Sequence, residues 1–198
     1  MSVTRVVLAS DNAGKLKELQ DLLGDRFELV PQRELGVTGA DETGTSFTEN
    51  ALLKARHAAA VTGLPAIADD SGLEVRALGG APGVHSARYA GQQSDDAANN
   101  ARLLDELKNV PPGQRTARFR CVMAFVRNAD DPEPVLAEGI WEGAIATAAR
   151  GLNGFGYDPL FIDRETGRHS AELEPADKNR RSHRGKAARA LIRRLRQL

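Results

Sequence analysis

Apolar residues run along this chain in two rhythms. Residues 4–9 form a compact β-branched run that predicts a strand and residues 27–30 predict a second, short one, while Leu16, Leu19, Leu22 and Leu23 recur between them at helical spacing. Ser46-Phe47-Thr48-Glu49 fits a capping box opening a helix towards Val61, and Gly63 with Pro65 ends it. Ala66-Ile67-Ala68 then reads as a buried strand whose end delivers Asp69 and Asp70, followed by Ser71 and a turn at Gly72. Ser94, Asp95 and Asp96 begin another helix, with Leu103, Leu104 and Leu107 facing inward and Pro111-Pro112-Gly113 stopping it. Residues 116–127 and 135–147 predict the two strands of a long hairpin, and residues 161–163 a last short strand. Ser182 caps a final helix with Ala187, Ala190, Leu191 and Leu195 on its inner face. Strands alternating with helices, plus one hairpin, predict an α/β fold with a mixed sheet.

Polar positions sharpen this outline at four places. Ser10-Asp11-Asn12-Ala13-Gly14-Lys15 joins the first strand to the first helix. Free N–H groups, the helix dipole and Lys15 suit an anion there, although Ser10 or Asn12 capping the helix is the plainer alternative. It is not a P-loop, because the required glycines are missing. The long polar stretch 31–46 carries Glu42, and loops of this length in compact domains are often functional. Glu49 is already explained by its cap. Adjacent strand residues face opposite sides, so Asp69 and Asp70 do not share one role. Finally, residues 148–159 surround Phe155 and Tyr157 with Gly151, Gly154 and Gly156. Glycines beside aromatics suit a shelf for stacking a base, yet a turn whose aromatics drop into the core fits equally well, and locally better.

Composition narrows the classes. The chain has 198 residues, enough for one domain with a real core, and its 27 basic and 27 acidic side chains cancel. No overall charge draws it to nucleic acid or a membrane surface, though arginines crowd the last turns. Cys121 is the only cysteine, which excludes an intrachain disulfide and a cysteine metal cage. The start lacks a signal-peptide plan, and no apolar run approaches the roughly 20 residues needed to span a bilayer. A cytoplasmic protein is expected.

Six motifs, in order, resemble the non-canonical purine nucleoside triphosphate pyrophosphatases, the inosine triphosphate pyrophosphatase family. They are Ser10-Asp11-Asn12-Ala13-Gly14-Lys15, Phe47-Thr48-Glu49-Asn50-Ala51, Ala68-Asp69-Asp70-Ser71-Gly72-Leu73, Gly79-Gly80-Ala81-Pro82-Gly83, Gly154-Phe155-Gly156-Tyr157-Asp158-Pro159, and Lys178 with Ser182-His183-Arg184-Gly185. The first departs from the family pattern, with Ser10-Asp11 where Thr-Gly is expected.

This resemblance implies a Mg²⁺-dependent hydrolase that converts ITP, dITP or XTP to the monophosphate and pyrophosphate, keeping such nucleotides out of DNA and RNA. It implies a single domain over residues 1–198, with an elongated mixed sheet flanked by helices in two lobes around a central nucleotide cleft. A homodimer is expected, with a purine triphosphate as partner and neither nucleic acid nor membrane. By the same resemblance, Ser10, Asp11, Asn12, Ala13, Gly14 and Lys15 hold the triphosphate. Glu42 and Asp70 bind Mg²⁺, and Asp70 is the proton acceptor. Ser71, Phe155, Gly156, Tyr157, Asp158, Lys178, His183 and Arg184 contact the nucleotide, with Glu49, Asp69 and Ser182 in support. A pyrimidine-directed pyrophosphatase of related fold lacks the Phe155 and His183-Arg184 motifs, dehalogenase-type phosphatases use D-x-D rather than adjacent carboxylates, and a nucleotide sensor would not need the carboxylates.

Overall fold

A computed structural model describes residues 4–10, 16, 19–20, 23, 27–91 and 95–197. Strand β1 (Thr4–Leu8) pairs in parallel with β2 (Phe27–Pro31), setting Val6 opposite Leu29 and Val7 opposite Val30. A parallel pair needs a crossover, and Leu16, Leu19, Gln20 and Leu23 between the two strands are helical, with Leu22 outside the described residues. On its other side β1 pairs in parallel with β3 (Ala66–Val75), Leu8 opposite Ile67. Strands β4 (Thr116–Val126), β5 (Val135–Ile145) and β6 (Phe161–Asp163) follow, with β6 antiparallel to β5. The order β2-β1-β3-β4-β5-β6 makes one mixed six-stranded sheet. Helices α1 (Phe47–Thr62), α2 (Asp96–Glu106), α3 (Pro175–Arg181) and α4 (His183–Leu195) flank it.

The chain divides into two compact units. One holds Met1–Asp70, Cys121–Gly139 and Arg184–Leu198, the other Ser71–Arg120 and Ile140–His183. The core of the first joins Val6, Leu8, Leu19, Ile67 and Met123 to Ala188, Leu191 and Leu195. That of the second gathers Leu73, Leu103, Leu107, Trp141, Tyr157, Leu160 and Phe161. Cys121 is buried in the first core as a small apolar side chain, as its surroundings predict.

Three expectations change. The strand carrying Asp69 and Asp70 does not stop at Gly72: β3 runs on to Val75, because Leu73 and Val75 continue the buried alternation on the far side. Proline at the first turn of Pro175–Arg181 starts a helix that the polar sequence hides, since its seven residues bury none of their number. Ser182 closes α3, its N–H donating to Lys178 O at 2.8 Å, and also directly precedes α4, at the position where the sequence places that helix's cap. The helix predicted from Ser94 starts at Asp96 with Asp95 as its N-cap, and Ser94 lies outside the described residues.

Candidate active site

Asp70 occupies the middle of β3, where a charged group must find partners or lose its charge. It finds them on one face of α1. Asn50 Nδ2 donates to Asp70 Oδ2 at 3.1 Å, and Lys54 Nζ reaches Asp70 Oδ1 at 3.0 Å. Asn50 and Lys54 stand four apart, so helical geometry puts both on the side facing the strand. Lys54 also donates to Glu42 Oε1 at 2.6 Å, so its ammonium bridges two carboxylates. Burial raises the Asp70 carboxyl above its ordinary value; Lys54 and Asn50 oppose this, and Glu42 reinforces it. Burial alone would lower the Lys54 ammonium, but Asp70 and Glu42 outweigh it and hold it above its ordinary value.

The turn before α1 makes this arrangement possible. Gly44 N–H donates to Asn50 Oδ1 at 2.8 Å, fixing the amide so that its nitrogen points at Asp70. A Cβ on Gly44 would lie 2.6 Å from Asn50 Oδ1 and 2.7 Å from Glu49 Cβ, so only glycine permits the approach. Glu49 closes the predicted capping box: its carboxylate accepts from Thr45 N at 2.7 Å and from Ser46 N, while Ser46 Oγ accepts from Glu49 N. The Thr45 amide is the main cause holding Glu49 below the usual carboxylate range.

Asp69 has a separate partner. It is 2% exposed, and Arg184 Nε from the start of α4 approaches its Oδ2 at 3.4 Å. Opposite faces of one strand thus give the two acids different jobs. Ser10 stands two residues past the end of β1, its N–H donating to Leu8 O at 2.8 Å, and Ser71 is half-buried in β3. Asp11, Asn12, Ala13, Gly14 and Lys15 lie outside the described residues.

In the second unit the glycine-rich loop divides its aromatics. Tyr157 is buried, its hydroxyl donating to Ser86 O at 2.8 Å, whereas Phe155 is 57% exposed. The core-turn reading therefore holds for Tyr157 and fails for Phe155. Asp158, 4% exposed, faces inward: it accepts from Phe155 N at 2.8 Å, from Ser170 Oγ and from Lys178 Nζ. Lys178 Nζ also stands 5.0 Å over the Phe155 ring, a cation–π contact that seats the ammonium beside the shelf. Gly154 has φ +83°, and a Cβ there would collide with the Asp158 carboxylate. His183 lies flat against Phe119, ring centroids 4.8 Å apart and planes 11° apart.

Asn50 and Lys54 receive no role from the sequence, although Asn50 lies in one of the six motifs. Their signal was available: a polar pair at i, i+4 on the face that also carries buried Ala51, Ala55 and Ala58. Among the described residues no three His, Cys, Asp or Glu side chains gather as a metal cage. Glu42 and Asp70 nonetheless share one ammonium, so two oxygen donors already stand around a cation. That set fits Mg²⁺, which commonly takes one or two carboxylates and completes its shell with phosphates and waters.

Comparison with known proteins places the chain in a family. A sequence 60% identical, aligned over 96% of this chain and 98% of its own length, is the dITP/XTP pyrophosphatase of Thioalkalivibrio sulfidiphilus. The dITP/XTP pyrophosphatase of Methylococcus capsulatus is 62% identical over 98% and 97%. Among solved structures, a HAM1 protein from Coxiella burnetii superposes with a TM-score of 0.95 at 48% identity, covering 99% of this chain and all of that one. The nucleoside-triphosphatase / dITP/XTP pyrophosphatase of Mycobacterium abscessus gives 0.80 at 46% identity, covering 95% and 98%. The Ham1 family profile matches residues 6–194, and the chain belongs to the Ham1 family.

Proposed function

We propose that this protein hydrolyses dITP, ITP and XTP to the nucleoside monophosphate and pyrophosphate, by attack of water at the α-phosphorus. The observation that carries the proposal is the Glu42–Lys54–Asp70 array, two carboxylates gathered around a cation. It occurs in a chain whose relatives bear the name dITP/XTP pyrophosphatase.

Glu42 and Asp70 would hold Mg²⁺, which supplies neutralisation of the charge that develops on the phosphates. Asp70 takes the proton of the attacking water. Burial raises its carboxyl, bringing its basicity closer to that useful near neutral pH. Asn50 fixes the carboxylate's orientation through Oδ2, and Lys54 keeps it ionised through Oδ1. Ser10 and the loop to Lys15 take the phosphates at the first helix's N-terminus.

Phe155 stacks on the purine, with Gly156, Tyr157 and Ser71 shaping the pocket, while Asp158 orients Lys178 and Asp69 orients Arg184. His183 and Arg184 donate to the oxo group that hypoxanthine and xanthine carry where adenine has an amine. An amine placed against those donors leaves buried polar groups unpaired, a mismatch that discriminates strongly. The chain acts as one catalytic domain of two lobes, as a cytoplasmic homodimer, without nucleic acid or membrane.

The test is product analysis. Purified protein with Mg²⁺ is given ITP, XTP, GTP, ATP and dTTP, and monophosphate plus pyrophosphate is resolved from diphosphate plus orthophosphate. Monophosphate and pyrophosphate from ITP and XTP, with ATP and GTP nearly untouched, is the expected result. Orthophosphate release would move the attack to the terminal phosphorus and overturn the mechanism. Binding of ITP without turnover would leave a sensor.

A further inference from the structure

A ring that is more than half exposed is not fixed by burial alone, so the backbone beside it helps to set its direction. Phe155 is 57% exposed, and its own N–H is fixed to Asp158. The next peptide unit is fixed from the other side by α2. Asp96 Oδ2 accepts from Gly156 N at 2.7 Å, and Asn100 Nδ2 donates to Gly156 O at 2.8 Å. Asp96 and Asn100 lie four apart on one helix face, so a single rigid element grips both polar groups of one residue. The helix is itself anchored, because Leu103 and Leu107 beyond it are in the core of the second unit.

We propose that Asp96 and Asn100 form a clamp on Gly156 that positions the Phe155 ring for the nucleobase, making them positioning residues for substrate recognition. Asn100 shows that the grip is worth a cost. Its Nδ2 serves both Asp96 O, at 2.8 Å, and Gly156 O, while its Oδ1 is buried without a hydrogen-bond partner among the described residues. A buried polar atom without a partner is destabilising, and a leucine of similar size would avoid it. The amide is kept for its two donations. Asp96 adds a charged acceptor, which strengthens its bond to the Gly156 amide. The clamp touches backbone only, so it acts alike on every base that stacks there. Loosening it lowers the fraction of protein whose loop is ready for the base, and apparent affinity falls by that fraction.

This inference rests on the reading of Phe155 as the base shelf, and the experiment separates the two. Asp96→Ala, Asn100→Leu, Asp96→Asn and Phe155→Ala are compared with the parent protein. The readouts are kcat and KM for dITP and XTP, inhibition constants for dIMP and for pyrophosphate, and melting temperature. Asp96→Ala and Asn100→Leu each raise KM and the dIMP constant by about 5- to 15-fold, the loss expected of one hydrogen bond. Values of kcat stay within about twofold, the pyrophosphate constant is unchanged, and dITP and XTP suffer equally. Asp96→Asn, whose amide oxygen still accepts from Gly156 without the charge, raises KM less than Asp96→Ala does. Asn100→Leu melts no lower than the parent, because the orphaned oxygen is gone.

Unchanged KM in both clamp variants, with Phe155→Ala impaired, overturns the clamp and leaves the shelf standing. Unchanged KM in Phe155→Ala removes the shelf and the clamp together. Equal weakening of dIMP and pyrophosphate overturns the clamp by showing general damage.

Discussion

Around Asp70 two carboxylates, Glu42 and Asp70, share the Lys54 ammonium, and neutral Asn50 completes the group. Around Gly156 the bonds run mainly to backbone: Asp96, Asn100, Asp158 and Tyr157 fix peptide groups, and an aromatic ring is left in the open. The first region gathers charge against burial. Glu42 and Asp70 both lie against the Lys54 ammonium, and burial raises the Asp70 carboxyl despite its partners. The second region is conformationally fixed, with a rigid edge that presents a largely exposed aromatic face. Charged groups are held together in the first region, and a loop is held in place in the second.

If that contrast is right, damage to the first region should appear in chemistry and damage to the second in affinity. Asp70→Asn should break it most visibly. The amide keeps the size and one of the two accepted contacts but cannot take a proton, so kcat should fall by about 10²–10⁴-fold. The melting temperature should hold, since one less charge is buried. Steady-state turnover of dITP with a thermal melt checks both, and near-parental kcat would remove Asp70 from the chemistry. Lys54→Met comes next. Glu42 and Asp70 would lose the ammonium they share, which should cost about 3 kcal/mol of stability without metal. Mg²⁺ should bind more tightly than in the parent and restore much of that loss. Urea midpoints with and without Mg²⁺ measure it, and weaker Mg²⁺ binding would mean that the ammonium does not stand in for a cation. Phe155→Ala should act on the other side alone. Losing about 1–3 kcal/mol of stacking raises KM roughly tenfold, with kcat and stability nearly unchanged, because the ring is already exposed.

Much of this division could be read from the sequence, unevenly. Asp70 was legible because an apolar run delivering two acids is unusual, and strand alternation separated it from Asp69 before Arg184 was seen to claim the latter. The extent of β3 was not legible, since Gly72 reads as a turn unless the burial of Leu73 and Val75 is known. Phe155 and Tyr157 are equivalent aromatics in a glycine-rich stretch; only the position of Ser86 O, far along the chain, sends Tyr157 inward. Lys54 and Asn50 were hidden for a related reason, because a polar residue on an inner helix face acquires meaning only from the strand opposite. Asp96 was seen as a helix start, and its second bond to Gly156 crosses 60 positions of sequence. Local patterns were legible, and partners distant along the chain were not.

The smallest expected effect tests whether the two kinds of damage separate at all. Ser46 caps α1 by accepting from Glu49 N at 3.2 Å, one turn before Asn50 and two before Lys54. Ser46→Ala removes that acceptor but leaves the Glu49 carboxylate bonded to the Thr45 and Ser46 amides. Loss of a cap costs about 1 kcal/mol. That amount should lower the melting temperature by a few degrees for a domain of this size. Residues Asn50 and Lys54 lie within the helix, are hydrogen-bonded to β3 through Asp70, and do not depend on the first turn for their place. Both kcat and KM for dITP should therefore stay within about twofold of the parent at 25 °C. A fall in kcat out of proportion to the loss of stability would show that the cap's strength reaches Asp70 through α1, and that stability and chemistry share one element in the first unit.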